Sequence, residues 1–208
     1  MMNPGIVEDI KRILAIEAEA LNSIPVDENY ERVVELIAEK VHGLGGKIIA
    51  SGMGKAGHVA NHMATTFSST GTPALFLHPS EAQHGDLGVI RENDILLVLS
   101  NSGKTTEILK LVQLTHSLYP GIPVVIITGN PDGPLARQSS MVLFTGNPKE
   151  VCPLGLTPTT SATTMAVIGD VLVVLMMKKT GFTAKDYALR HHGGYLGQKS
   201  RKSSYENQ

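Results

Sequence analysis

The chain has 208 residues, 42% of them apolar, and a formal net charge of −1. That length allows one sizeable core with appended helices, and the balanced charge gives no reason to expect a nucleic acid or a membrane surface as partner. Cys152 is the single cysteine, which excludes a disulfide within the chain and suits a reducing cytoplasm.

The first residues, MMNPGIVEDIKRIL, carry charges where a secretory signal would be apolar. Ile6, Ile10, Ile13, Leu14 and Leu21 recur at helical spacing, so residues 3–21 are expected as a helix that Pro25 closes off. Asp27 is placed to cap a second helix with Tyr30, Val33, Val34, Ile37 and Val41 on one face, stopped by Gly43, Gly45 and Gly46. Residues 1–46 are thus expected as helices packing on a single structural domain.

Beyond Gly46 the pattern changes to short apolar runs bounded by Gly, Pro, Asn and Asp: residues 47–51, 74–78, 94–100, 124–128 and 141–145. Helical stretches fall at 55–68 and 105–117, with a short one after Pro134. Near-continuous apolar strands alternating with helices predict an α/β fold, a three-layer αβα sandwich on a five-stranded parallel sheet wound as in flavodoxin-type folds. The run MAVIGDVLVVLMM, residues 165–177, is short of a membrane span and contains Asp170, so it reads as a core helix. The tail, residues 199–208, is polar and expected to fray.

In an open parallel sheet ligands bind outside the carboxyl ends of the strands. The first such loop, Gly52-x-Gly54-x-x-Gly57, has the spacing of a dinucleotide fingerprint. A dinucleotide site needs an acid at the end of the next strand, but that strand ends at His78-Pro79 with Glu81 only beyond it. Lys55 sits inside the loop, placed to meet an anion; the plainer reading is a tight turn. HPSEAQHGDLG holds His78, Glu81, His84 and Asp86, which match no structural-zinc spacing and read more simply as loop hydrogen-bonders. SNSGKTTE brings Ser100, Ser102, Thr105 and Thr106 to the start of a helix: many neutral donors and little bulk, as a terminal phosphate requires. An ordinary helix cap would need only one of them. Thr159, Thr160 and Ser161 are placed to cap the core helix, and Glu150, in a Pro/Gly-rich loop, reads by itself as a solvated charge. His191 and His192 before two glycines fit a helix C-terminus.

Taken together, GMGKAGH, TFSSTGTP, HPSEAQHGDLG, SNSGKTTEI, ITG, KEVCPLGLTPTTS, GFTAKDYALRHHGG and LGQK resemble, in number and order, the sugar isomerase (SIS) domain of arabinose 5-phosphate isomerases across residues 47–198. The resemblance implies an aldose–ketose isomerase interconverting D-ribulose 5-phosphate and D-arabinose 5-phosphate through an enediol, feeding Kdo for lipopolysaccharide or capsule in the cytoplasm. It implies a homotetramer with sites between subunits; such an isomerisation requires no redox cofactor and leaves a metal optional, and the charge balance favours no nucleic-acid or membrane partner. Its catalytic positions carry over as Lys55, Glu107, Glu150 and His191. Gly71, Thr72, His78 and His84 match its substrate contacts, joined by Gly54 and by Ser100, Asn101, Ser102, Thr105 and Thr106; His84 also matches an inhibitory zinc contact.

Three departures stand out. The pair of CBS domains that many members carry is not expected here, His191-His192-Gly193-Gly194 stands for His-Pro-Gly-Gly, and Lys104 replaces an acidic residue often found there, adding positive charge near the phosphate. An enediol mechanism needs a carbon base, an oxygen proton shuttle and a charge stabiliser. Glu107 and Glu150 are able to act as base or shuttle, His191 as base or ring opener, and Lys55 as the fixed charge. The competing function classes are a non-catalytic phosphosugar sensor, an isomerase of another phosphosugar such as a hexulose 6-phosphate, and a dehydrogenase. The joint presence of Lys55, Glu107, Glu150 and His191 argues against the sensor.

Overall fold

The computed structural model describes residues 3–195, 197, 199 and 200. The fraying expected of the tail falls, from residue 201 on, outside the described residues.

Helix α1, Pro4–Asn22, begins behind Asn3, whose side chain accepts the Gly5 amide at 2.9 Å, with Pro4 at the first helical position. It buries none of its residues and leaves Ile6 and Leu14 more than half exposed. Helix α2, Asn29–Ile37, runs into a π-helical turn over Ala38–Gly43. Asp27 does accept the Asn29 amide at 2.9 Å, but Glu28 occupies the cap position itself, one residue later than expected. The expected face, Tyr30, Val33, Val34, Ile37 and Val41, is buried.

Five strands follow: β1 Ile48–Gly52, β2 Ala74–Phe76, β3 Ile95–Leu99, β4 Val124–Thr128 and β5 Met141–Phe144. All pair in parallel, in the order β2-β1-β3-β4-β5. β2 is shorter than expected because Pro79 opens a one-turn helix, α4 Pro79–Ala82, and His78 becomes its cap, accepting the Ser80 amide at 3.3 Å. The longer helices are α3 Gly54–Ser69, α5 Thr106–Leu118 and α6 Thr160–Thr180, with α7 Ala184–Arg190 after them. The stretch after Pro134 is only a 3-10 turn, Ala136–Gln138.

The strand alternation separates two cores. Ile48, Ala50, Leu97, Leu99, Val125 and Ile127 pack with residues of α2, α3 and α6. Ile49, Leu96, Val98, Val124 and Ile126 pack with residues of α4 and α5 on the other face. Helix α6 buries Ser161, Thr164, Met165, Ile168, Gly169, Leu172, Val173 and Met176, a stripe at helical spacing. It is long and apolar enough to cross a bilayer, with a mean hydropathy of 1.7, yet this stripe is taken up by α3 and the sheet. At Gly169 an added Cβ would lie 2.6 Å from Met63 Cγ, so the two helices approach closely there. At the amino edge of the sheet buried Asp94 accepts the Lys47 amide, the Lys47 ammonium and the Arg91 amide, tying the starts of β1 and β3 together.

Strand order reverses between β1 and β3. The chain leaves these neighbouring strands toward opposite faces, which opens a crevice at their carboxyl ends.

Candidate active site

A cleft of about 1130 Å³ occupies that crevice. The loop after β1 forms one wall. Gly54 adopts φ +56°, a conformation that favours glycine. A Cβ on Gly57 would come 2.6 Å from the Gly52 carbonyl oxygen, so loop and helix meet backbone to backbone. Lys55 leaves the first turn of α3 with its side chain exposed and lining the cleft.

The loop after β3 forms the floor. Ser100 is buried, and its Oγ shares a 2.8 Å hydrogen bond with Thr105 Oγ1. Thr128 Oγ1 donates to the Ser100 carbonyl at 2.7 Å. Thr105 holds the N-cap position of α5 yet makes no side-chain cap, and neither does Met53 ahead of α3. Two helix N-termini without side-chain caps therefore meet the cleft, an arrangement suited to an anion. Asn101 Oδ1 is buried without a hydrogen-bond partner among the described residues.

The third wall follows β5. Gly146 and Asn147 both have positive φ, 81° and 51°, and Asn147 is the one described non-glycine residue to do so. They turn the chain so that Lys149 and Glu150 line the cleft. Glu150 Oε2 accepts the Thr159 amide at 2.7 Å, the Thr159 hydroxyl at 2.9 Å and the Ser161 amide at 3.3 Å. The cap of α6 is thus this carboxylate, not the side chain of Thr159, Thr160 or Ser161 as expected, and Glu150 is not a plain solvated charge. Burial works to raise its pKa, but the donors on Ser161 and Thr159 outweigh it and hold the carboxyl below its ordinary value of 4.5. Beside it, hydrogen bonds from the Thr157 side chain and amide lower the Cys152 thiol to about 6.

One chain therefore brings Lys55, Glu150, Ser100, Asn101, Ser102, Lys104 and Thr105 to one cleft, with Gly54 next to Lys55. Thr106 and Glu107 sit in the first turn of α5, outside that lining. His78 caps α4 and meets Phe76 edge-on, while His84 is exposed in the turn beyond. Among the described residues no three His, Cys, Asp or Glu side chains gather to hold a metal.

Gly71, Thr72 and His191 lie at the opposite edge of the sheet. Thr72 precedes β2, and its hydroxyl is 3.1 Å from His42 Nε2. Helix α6 starts at the cleft and runs about 30 Å away from it over its 21 residues. Consequently α7 packs near Gly71, where an added Cβ would meet the Phe182 ring at 2.9 Å and Arg190 Nη2 at 3.6 Å. The His191 ring stacks on Tyr187 with centroids 3.7 Å apart, Nδ1 lies 3.0 Å from the Tyr187 carbonyl, and His192 is exposed beside it.

Asn130 and Asn147 also line the cleft and did not stand out in the sequence reading. A signal was there: Thr-Gly-Asn-Pro occurs twice, at 128–131 and 145–148, each time at a strand end. In both copies the Asn amide donates to the threonine hydroxyl, at 3.1 and 3.3 Å.

A model of the SIS domain matches residues 45–175. In sequence, arabinose 5-phosphate isomerase KdsD of Shigella flexneri is 46% identical over 189 residues, 91% of this chain and 56% of its own length. The chain thus spans about half the length of the curated relatives it matches. Among solved structures, a Bacteroides fragilis NCTC 9343 chain assigned as a phosphosugar isomerase involved in capsule formation is 59% identical, with a TM-score of 0.90 over 91% of this chain and 99% of that one. An E. coli CFT073 protein in complex with arabinose 5-phosphate is 31% identical, with a TM-score of 0.84 over 92% and 100%.

Proposed function

The chain belongs to the SIS domain family, and on that premise we propose that it interconverts D-ribulose 5-phosphate and D-arabinose 5-phosphate by proton transfer through an enediol. The observation that carries this reading is the placing of an ionised, anchored carboxylate, Glu150, and an exposed ammonium, Lys55, in one cleft with the 100–105 loop. The similarity to KdsD isomerases and to a protein holding arabinose 5-phosphate supports it.

The phosphate sits at the N-terminus of α5, taken by Ser100, Ser102, Thr105 and free amides, with Lys104 adding charge. Glu150, fixed through Oε2, presents Oε1 to the carbon-bound proton. Its lowered pKa keeps it ionised and ready to accept at neutral pH. Lys55 stabilises the enediolate, and Glu107 shuttles the oxygen-bound proton. His191, with Gly71 and Thr72, comes from a second copy, because α6 carries it to the far edge of its own chain. The sites are therefore shared between subunits of a homotetramer. No cofactor takes part, and zinc bound through His84 inhibits. The product serves Kdo formation for lipopolysaccharide or capsule in the cytoplasm.

The test is a coupled assay of purified protein with ribulose 5-phosphate, with and without a chelator, followed by deuterium exchange at C2 of arabinose 5-phosphate. Exchange in Glu107→Gln, Glu150→Gln and His191→Ala should fall well below wild type; wild-type exchange in all three overturns the assignment, and phosphosugar binding without turnover overturns the activity. Mixing inactive Lys55→Ala and His191→Ala proteins should restore activity at some sites. No recovery after verified subunit exchange refutes sharing.

A further inference from the structure

We infer that Glu17 of α1 is a positioning residue of the cleft, fixing the base of the loop that carries Glu150; this rests on the reading of Glu150 as the carbon base. The contact spans 143 positions of sequence: the Thr160 hydroxyl donates to Glu17 Oε1 at 2.9 Å. Thr160 is fully buried at the start of α6, and the same hydroxyl accepts the Val151 amide at 3.2 Å. Val151 follows Glu150, and Thr160 follows Thr159, which holds Glu150. Both ends of the 150–160 loop thus meet at one hydroxyl, while its tip is open, with Leu154 and Leu156 more than three-quarters exposed.

A hydroxyl rotates freely until its proton finds an acceptor. With Glu17 taking the proton, a lone pair of Thr160 Oγ1 is directed at the Val151 amide. Without Glu17 the proton is released to other acceptors, and the lone pair is no longer held on the Val151 amide in this partly buried place. The remaining features of Glu17 point the same way. Its second oxygen, Oε2, is buried with no hydrogen-bond partner among the described residues, which is an unfavourable place for a carboxylate that serves only to attach a helix. Helix α1 buries no residue, Glu17 itself being only partly covered, and yet Glu17 is the residue that reaches the start of α6.

The experiment compares Glu17→Ala, Glu17→Gln and Thr160→Val in the full chain, reading kcat, KM and hydrogen exchange at the Val151 amide. Glu17→Ala should lower kcat roughly 10-fold, within the range for small misplacements of a reacting group, with KM changed less than about 2-fold. Val151 exchange should speed up in the same variant. Glu17→Gln, whose amide oxygen still accepts the Thr160 proton, should restore most of both. The double variant Glu17→Ala/Thr160→Val should be no worse than Thr160→Val alone. Wild-type kcat and exchange in Glu17→Ala overturn the inference, as does equal impairment in Glu17→Gln. Should Glu17→Ala fail to fold, Glu17→Met keeps the volume without an acceptor and carries the same comparison. If the wild-type protein turns over neither pentose phosphate, the proposed activity fails, and Val151 exchange alone still decides whether Glu17 fixes the loop.

Discussion

Replacing Thr159 by valine removes a single donor from Glu150 while keeping the shape of the residue. Oε2 then retains the two amides, from Thr159 at 2.7 Å and Ser161 at 3.3 Å, and loses the hydroxyl at 2.9 Å. A hydrogen bond to a charged acceptor contributes ~1.5–3 kcal/mol when buried, and partial exposure reduces this to about 1 kcal/mol. For a chain of this size that lowers Tm by roughly 2–4 °C at neutral pH. The sign with pH follows from the direction of the shift. The folded pKa of Glu150 lies below its ordinary 4.5, so its contribution is present above that value and fades as pH falls through the lower folded value. Valine weakens the preference for the ionised form, so the folded pKa rises toward the ordinary value. The variant's stability deficit is complete at pH 7 and shrinks once the carboxyl protonates. If Glu150 is the base, the acidic limb of kcat/KM moves to higher pH while the neutral plateau changes by less than about 10-fold, the equivalent of ~1.4 kcal/mol. The assay is a pH–rate profile alongside thermal unfolding at several pH values. A Tm loss of the expected size with an unmoved acidic limb would refute the role given to Glu150.

Two further outcomes are expected. Asp94→Asn removes the charge that pairs Lys47 Nζ at 2.8 Å and sets an NH2 among three donors, so unfolding free energy should fall by about 3 kcal/mol, and a loss under about 1 kcal/mol would contradict the pairing argument. Cys152, lowered to about 6 beside the cleft, should react with iodoacetamide at a rate that levels off near pH 7 and is slowed by bound phosphosugar; a rate still climbing through pH 8.5 counts against the thiolate.

The sequence by itself determined the layers of this protein and most of one loop wall. Strands of alternating or continuous apolar residues, all but β2 followed by a glycine or hydroxyl loop, leave few ways to fold but a covered parallel sheet, and β4 was legible to the residue at Val124–Thr128. The donors at 100–105 were legible because their chemistry is local: small hydroxyls at a helix start face whatever that helix start faces. Glu150 entered only through the family resemblance and its anchoring was not legible, since its partners stand 9 and 11 positions away across a Pro/Gly-rich turn, and nothing in the spacing says that they return to it. Glu17 was still less so, being 143 positions from Thr160 and carried by a helix whose pattern shows only an apolar stripe. Only the tertiary structure decided that Lys55 and Glu150 share a cleft while His191 is held at the other edge. Periodicity reports which face of an element is buried; it does not report the length and direction along which a 21-residue helix carries the chain away from the sheet's carboxyl ends.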